Sequence, residues 1–238
     1  MLTIHEGIYL GIMINDIKSI DTIIFDLDGT LLDTLDDLTD SVNYALNEFD
    51  LPERSKPEIR RFLGNGAEML MNCAIDGRLD EICTMKCVET FKEYYKEHMD
   101  CKTKPYNGIM DVVRELLKQG YHLAIVSNKF DAAVKGLNDD YFEGLFPVAI
   151  GEAENVARKP APDTVLKALD ELGSSKEKAI YVGDSEVDYM TAKNSDLPCV
   201  SVTWGFRDKE LFEELGSDFV IEKPIQLFDV LQVFNQRF

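Results

Sequence analysis

Two aspartates, Asp26 and Asp28, stand two positions apart directly after the apolar run Thr22–Phe25. Two carboxylates in one loop can divide labour, one as nucleophile and one as general acid/base. Other polar groups follow short apolar runs in the same way. Ser127-Asn128-Lys129 follows His122–Val126, and Arg158-Lys159-Pro160 lies downstream of Pro147–Ile150. Gly183-Asp184-Ser185, with Asp188 four residues beyond Asp184, follows Ala179–Val182. Asp26, Asp28, Asp184 and Asp188 cannot all be ionised at close range without compensation. A hard divalent cation is the natural partner. Magnesium (Mg2+) fits best, because it takes one or two carboxylates, keeps waters and completes its shell with a phosphate oxygen. Lys159 adds a point charge and Ser127 a hydroxyl donor. Gly29 lets the chain turn sharply after the first run. Together these groups make a pocket for a dianionic tetrahedral group.

For these groups to meet, the runs before them must lie side by side. In open α/β sheets, ligands bind outside the carboxyl ends of the strands. The runs named above, with Cys199–Thr203 and Asp218–Ile221, are rich in Val and Ile and apolar on both faces, which predicts buried parallel strands. Helix-like stretches alternate with them. Asp111–Gln119 stops at Gly120, and Pro162–Leu172 runs from a proline to Gly173. Asp188–Asn194 and Lys209–Leu215 continue the rhythm. The expected fold class is α/β, with a Rossmann-like open parallel sheet core formed by residues 20–33 and 105–238. Residues 34–104 contain no convincing strand. Leu35–Phe49, Pro57–Phe62, Ala67–Ile75 and Leu79–His98 carry apolar residues at helical steps, so an all-helical domain is expected as an insertion after the first strand. Its hinges fall near residues 33–36 and 101–107.

Residues 1–19 read as an amino-terminal extension. Leu10, Ile12 and Ile14 alternate weakly, enough for a short strand, and the absence of pattern before Met13 makes that residue a candidate start. The 238-residue chain carries 25 Lys and Arg against 44 Asp and Glu, a net charge of −19. That surplus argues against nucleic-acid and anionic-membrane partners. No apolar run reaches the roughly 18–20 residues a membrane-spanning helix needs. The five cysteines are odd in number and sparse, and no secretory signal is visible, so a reduced cytoplasmic location is expected.

Asp26-Leu27-Asp28-Gly29-Thr30, Ser127, Lys159 and Gly183-Asp184-Ser185 with Asp188 resemble, in order, the four motifs of the haloacid dehalogenase-like superfamily. The resemblance spans residues from about 21 to 234, and the helical insertion is similar to that superfamily's cap. It implies that Asp26 attacks phosphorus to form an aspartyl-phosphate, while Asp28 protonates the leaving oxygen and later deprotonates water. It further implies that Ser127 and Lys159 hold the phosphoryl oxygens. Magnesium would be bound by Asp26, the main-chain carbonyl of Asp28, and Asp184, with Asp188 in support. An aspartate at position 28 points to phosphomonoester hydrolysis or phosphomutase chemistry. The absence of histidine from residues 33–50 weighs against a likeness to beta-phosphoglucomutase.

Glu58–Gly66 resembles the cap segment of phosphoglycolate phosphatases. This makes Gly64, Asn65 and Gly66 candidate substrate contacts, together with Thr30 and Asn128. The partner implied is a small phosphorylated metabolite, acted on by a monomer or homodimer. Pyrophosphatases share the architecture, and a phosphate-sensing module without turnover is the reading from another class.

Other residues read as structural. Lys129 and Arg207 are expected on solvated faces. Cys83 and Cys87 share a helix face but lack further ligands for a zinc site. His98 and His122 read as structural, His5 lies in the extension, and Trp204 is expected to pack at a strand end.

Overall fold

The structure is a computed structural model that describes residues 19–153 and 156–235. The expectations for residues 1–18, including a short strand and a start at Met13, lie outside the described residues. Six parallel strands form the central sheet: β1 (Thr22–Phe25), β4 (His122–Phe130), β5 (Val148–Glu152), β6 (Ala179–Gly183), β7 (Cys199–Val202) and β8 (Phe219–Ile221). Their spatial order is β5-β4-β1-β6-β7-β8. All pairings in this sheet are parallel. The chain steps outward from β1 through β4 to β5, then returns to the other side of β1 at β6. That reversal opens a crevice at the carboxyl ends of the central strands.

Strand alternation builds two apolar layers. Ile23, Phe25, Leu123, Ile125, Ile180 and Val182 face α5 (Ile109–Lys118), α6 (Asp131–Phe142) and α10 (Leu227–Asn235). Ile24, Ala124, Val126 and Tyr181 face the other way, toward α7 (Asp163–Leu172) and α8 (Glu186–Asn194). α9 (Lys209–Leu215) leads into β8. Burial on both faces explains why these strands read as unbroken apolar runs.

Four helices, α1 (Leu35–Glu48), α2 (Lys56–Phe62), α3 (Gly66–Ile75) and α4 (Glu81–His98), form the cap. They share their own core of Leu38, Val42, Leu46, Ile59, Met71 and Phe91. Local signals start two of them. Ser55 and Glu58 form a capping box on α2, and the Asp80 side chain accepts from Cys83 N at the head of α4. The sequence suggested no strand at the hinges, yet β2 (Leu32–Asp33) and β3 (Lys104–Pro105) pair there as a short antiparallel ribbon. Such short strands carry no periodicity of their own, so only tertiary pairing reveals them. Asp37, buried in the first turn of α1, accepts from Lys102 N and from Thr103 N and Oγ1, tying the cap's entry to its exit.

Candidate active site

Asp26 follows β1 at the centre of the sheet, and its main-chain N–H donates to Val182 O of β6. Across the crevice, Ser185 caps α8. The Ser185 hydroxyl accepts from Asp188 N, while Ser185 N donates to Asp188 Oδ2. This capping box holds Asp188 under the sheet's end and sets Asp184 above it. Lys159 arrives from the connection before α7, and its bond to Pro160 is cis. Its ammonium lies 2.8 Å from Asp26 Oδ1 and 2.7 Å from Asp188 Oδ1.

The Asp188 carboxylate is fully engaged. Its Oδ1 accepts from Lys159 Nζ and from the Tyr181 hydroxyl, at 2.7 and 3.0 Å. Its Oδ2 accepts from Ser185 Oγ, Ser185 N and Asp184 N. Asp184 keeps more capacity: Oδ1 accepts from Thr30 Oγ1 at 3.2 Å and Oδ2 from Phe206 N at 2.6 Å. Carboxylate oxygens of Asp26, Asp184 and Asp188 all lie within 4.8 Å of one another, and all three residues are buried. The Lys159 ammonium pairs with two of these three carboxylates.

The electrostatic strain is visible in the proton affinities. Burial pushes Asp26 up to about 7, with Asp188 adding to the rise and Lys159 opposing it. Burial, then Asp188 and Asp26, lifts Asp184 well above the ordinary carboxylate range. Burial works against the Lys159 charge, but Asp188 and Asp26 outweigh it and hold its pKa above the ordinary value. A divalent cation would relieve the unbalanced carboxylates, and Asp26 and Asp184 retain acceptor capacity to hold one. The donor set is hard oxygen throughout, which suits magnesium.

Glycines make room for this arrangement. A Cβ on Gly29, which sits at φ +86°, would collide with the Asp184 carboxylate. A Cβ on Gly205 would strike both that carboxylate and Gly29 O.

β4 loses register with β5 between Val126 and Phe130, and residues 127–129 leave the ladder there. Ser127 is buried, and its Oγ accepts from Lys129 N. Asn128 Nδ2 donates to Gly64 O of the cap and to Lys159 O, both at 3.0 Å. Lys129, read from sequence as solvated, is only 8% exposed. Its ammonium reaches Asp28 Oδ1 and Oδ2 at 2.8 and 3.1 Å, and the hydroxyl of Tyr95 on α4 at 2.7 Å.

Arg207 also departs from the solvated reading. Gripped by Glu186, it donates to Arg60 O and Leu63 O at the end of α2, at 3.0 and 2.8 Å. Arg60 returns the contact, donating to Gly205 O and Asp208 Oδ1. Both arginines were drawn in by carbonyls and acids remote in sequence, which no local pattern signals.

A cleft of about 60 Å³ lies between cap and sheet. Asp26, Asp28, Ser127, Asn128, Lys129, Lys159 and Asp184 line its floor, and Leu38, Leu63, Gly64, Gly66, Ala67, Leu70 and Phe91 line its roof. Asn65 is not among the lining residues. Thr30, expected at the substrate, is fully buried and instead supports Asp184. Trp204 packs after β7, its indole N–H donating to Thr30 O. His98 Nδ1 lies 2.8 Å from Tyr94 O on its own helix, and Cys87 is buried in the cap.

The haloacid dehalogenase-like hydrolase family model matches residues 23–202. A phosphoglycolate phosphatase of Mesorhizobium japonicum is 33% identical over 217 residues, covering 89% of this chain and 92% of that protein. The pyrophosphatase PpaX of Bacillus cereus is 29% identical over 222 residues, covering 91% and 99%. A crystal structure from Lactobacillus delbrueckii subsp. bulgaricus superposes with a TM-score of 0.85 at 32% identity, covering 90% of this chain and 99% of that one. No helix among the described residues is long and apolar enough to cross a membrane.

Proposed function

The chain belongs to the haloacid dehalogenase-like hydrolase family, and we propose that it is a magnesium-dependent phosphatase of small phosphorylated metabolites, similar to phosphoglycolate phosphatases. The observation that carries this reading is the cluster of Asp26, Asp184 and Asp188, with the Lys159 ammonium paired to Asp26 and Asp188. Asp26 is the nucleophile, and its attack on phosphorus forms an aspartyl-phosphate as the ester oxygen departs. Asp28 hands that oxygen a proton, then takes one from the water that releases phosphate. Ser127 and Lys159 hold phosphoryl oxygens, so positioning and charge neutralisation carry most of the rate.

Asp26, Asp184 and the Asp28 carbonyl would hold magnesium, with the saturated Asp188 orienting Lys159 and Asp184. Bound there, the cation supplies charge neutralisation for the phosphoryl group and the buried acids. The cap excludes bulk water during the chemistry.

The confinement of the cleft between the cap roof and the sheet floor supports a leaving group of few atoms. The apolar roof disfavours a large polar one. The pyrophosphatase relative supports pyrophosphate as the second candidate substrate. No two of the five cysteines are bonded to each other, which agrees with a cytoplasmic setting.

The deciding experiment compares kcat/KM for 2-phosphoglycolate, pyrophosphate and a panel of small phosphate esters, with magnesium present. We expect 2-phosphoglycolate to rank first. Pyrophosphate in first place would transfer the reading to a pyrophosphatase, and binding without turnover on every compound would refute the enzymatic reading.

A further inference from the structure

The Lys129 ammonium is buried, and every strong contact it makes is accounted for. It touches both oxygens of Asp28, at 2.8 and 3.1 Å, and the Tyr95 hydroxyl at 2.7 Å. It also lies 4.6 Å from the centre of the Tyr95 ring. Among the described residues, no other side chain donates to the Asp28 carboxylate. The ammonium spans both oxygens of that carboxylate and anchors its position beside the cleft. A buried ion pair is a poor device for stability alone, because an apolar pair of similar volume often serves as well. Its position beside the cleft therefore calls for another explanation.

Tyr95 supplies the link to the cap. It is 1% exposed, it sits on α4, and its hydroxyl oxygen accepts from Lys129 Nζ of β4. The lysine thus spans the two halves of the molecule, with the acid on one side and the cap on the other. Only a cap seated over the cleft gives the ammonium both partners at once.

We propose that Lys129 is a positioning residue for the acid–base carboxylate of Asp28, and that Tyr95 acts through Lys129 to make this positioning depend on the seated cap. The proposal rests on the assignment of Asp28 as acid and base in the reading above. Lys129 holds the Asp28 carboxyl where a leaving oxygen departs from phosphorus, so its loss weakens proton delivery rather than attack.

The test uses esters that differ in their need for a proton. An alkyl phosphate leaves poorly and needs the acid, whereas p-nitrophenyl phosphate leaves well without it. kcat/KM isolates the steps through ester cleavage. For Lys129→Met, kcat/KM for the best alkyl ester should fall about tenfold further than for p-nitrophenyl phosphate, within the range general acids contribute. Tyr95→Phe should show a smaller split of the same sign. Thermal unfolding and magnesium titration establish that each variant folds and keeps its cation site. Equal losses on both esters would reduce Lys129 to a structural role and overturn the proposal, as would an unchanged or increased rate on the alkyl ester. Asp28→Asn is the reference. If it shows the split and Lys129→Met does not, the positioning role fails alone. If Asp28→Asn shows none, the acid assignment fails and the proposal falls with it.

Discussion

Lys159 Nζ stands 2.8 Å from Asp26 Oδ1, with both side chains almost wholly buried. The two residues are far apart in the chain and meet only because β1 is central and the connection before α7 returns over its end. The same ammonium holds Asp188, so it serves one attacking acid and one orienting acid. Asp26→Asn keeps the shape but removes the attacking oxyanion. Turnover of p-nitrophenyl phosphate should fall below about a thousandth of wild type, in line with loss of a covalent nucleophile. Retained activity with bound magnesium would contradict the nucleophile assignment.

Lys159→Met removes the ammonium paired with Asp26 and Asp188 and leaves those buried carboxylates uncompensated. Breaking a buried pair in this way costs about 3–5 kcal/mol, so the melting temperature should fall by several degrees. Activity should be lost as well. Magnesium should recover part of the stability, since it can supply charge where the ammonium is missing. A variant as stable as wild type in the absence of magnesium would remove Lys159 from the charge balance argued here.

Much of this architecture was legible before folding. Val- and Ile-rich runs marked all six sheet strands because parallel strands buried on both faces have no polar alternation. Glycine stops marked the ends of α7 and, nearly, α5. What lay hidden depended on contacts made across the sequence. β2 and β3 are too short to show a period, and α6 and α10 were not singled out. Lys129 looks like any polar residue after a strand until the β4 irregularity turns residues 127–129 out of the ladder. Arg207 looks solvated until the end of α2 presents carbonyls to it. Asp37 and Gly205 gave no local sign either: one ties the hinge, and the other clears space for Asp184.

The cap seat should respond to Arg207. Arg207→Ala leaves the Arg60 and Leu63 carbonyls without their donor and frees Glu186. Each lost hydrogen bond of this kind is worth about 1 kcal/mol. KM should rise by about fivefold, a loss of roughly 1 kcal/mol in binding. Amide hydrogen exchange should quicken in α2 and around Gly64, with the central sheet unchanged. Uniform exchange across the molecule would show that the contact is not a cap latch.

Cation binding and acidity should be linked with a definite sign. Asp26 is raised to about 7 and Asp184 well above its ordinary value, so the native state without cation holds protons that the unfolded chain releases above its own carboxylate range. That contribution to stability is complete below the unfolded pKa and fades as pH rises through the native one. Magnesium competes with those same protons. It should therefore raise the melting temperature more at pH 8 than at pH 5.5, and EDTA should abolish turnover. In EDTA at pH 8, Asp184→Asn should melt above wild type because one buried acid is gone. A larger magnesium effect at pH 5.5 would reverse the sign and refute the linkage.

Gly205 offers the most local test, because it touches the cation site without contributing an oxygen to it. A Cβ there would overlap the Asp184 side chain and Gly29 O, and the backbone atom is the harder of the two to move. Gly205→Ala must therefore shift the loop that also carries Phe206, whose N–H donates to Asp184 Oδ2 at 2.6 Å. Asp184 would lose both its place and one hydrogen bond. The expected result is a magnesium affinity about tenfold weaker, equal to roughly 1.4 kcal/mol, read by calorimetry or by the magnesium dependence of turnover. Saturating magnesium should restore much of kcat, since Asp26, Lys159 and Asp28 stay in place. If kcat stays low at saturating magnesium while affinity is unchanged, the substitution acts on the cap contact at Arg60, whose guanidinium donates to Gly205 O. The close approach to Asp184 would then not be what requires glycine here.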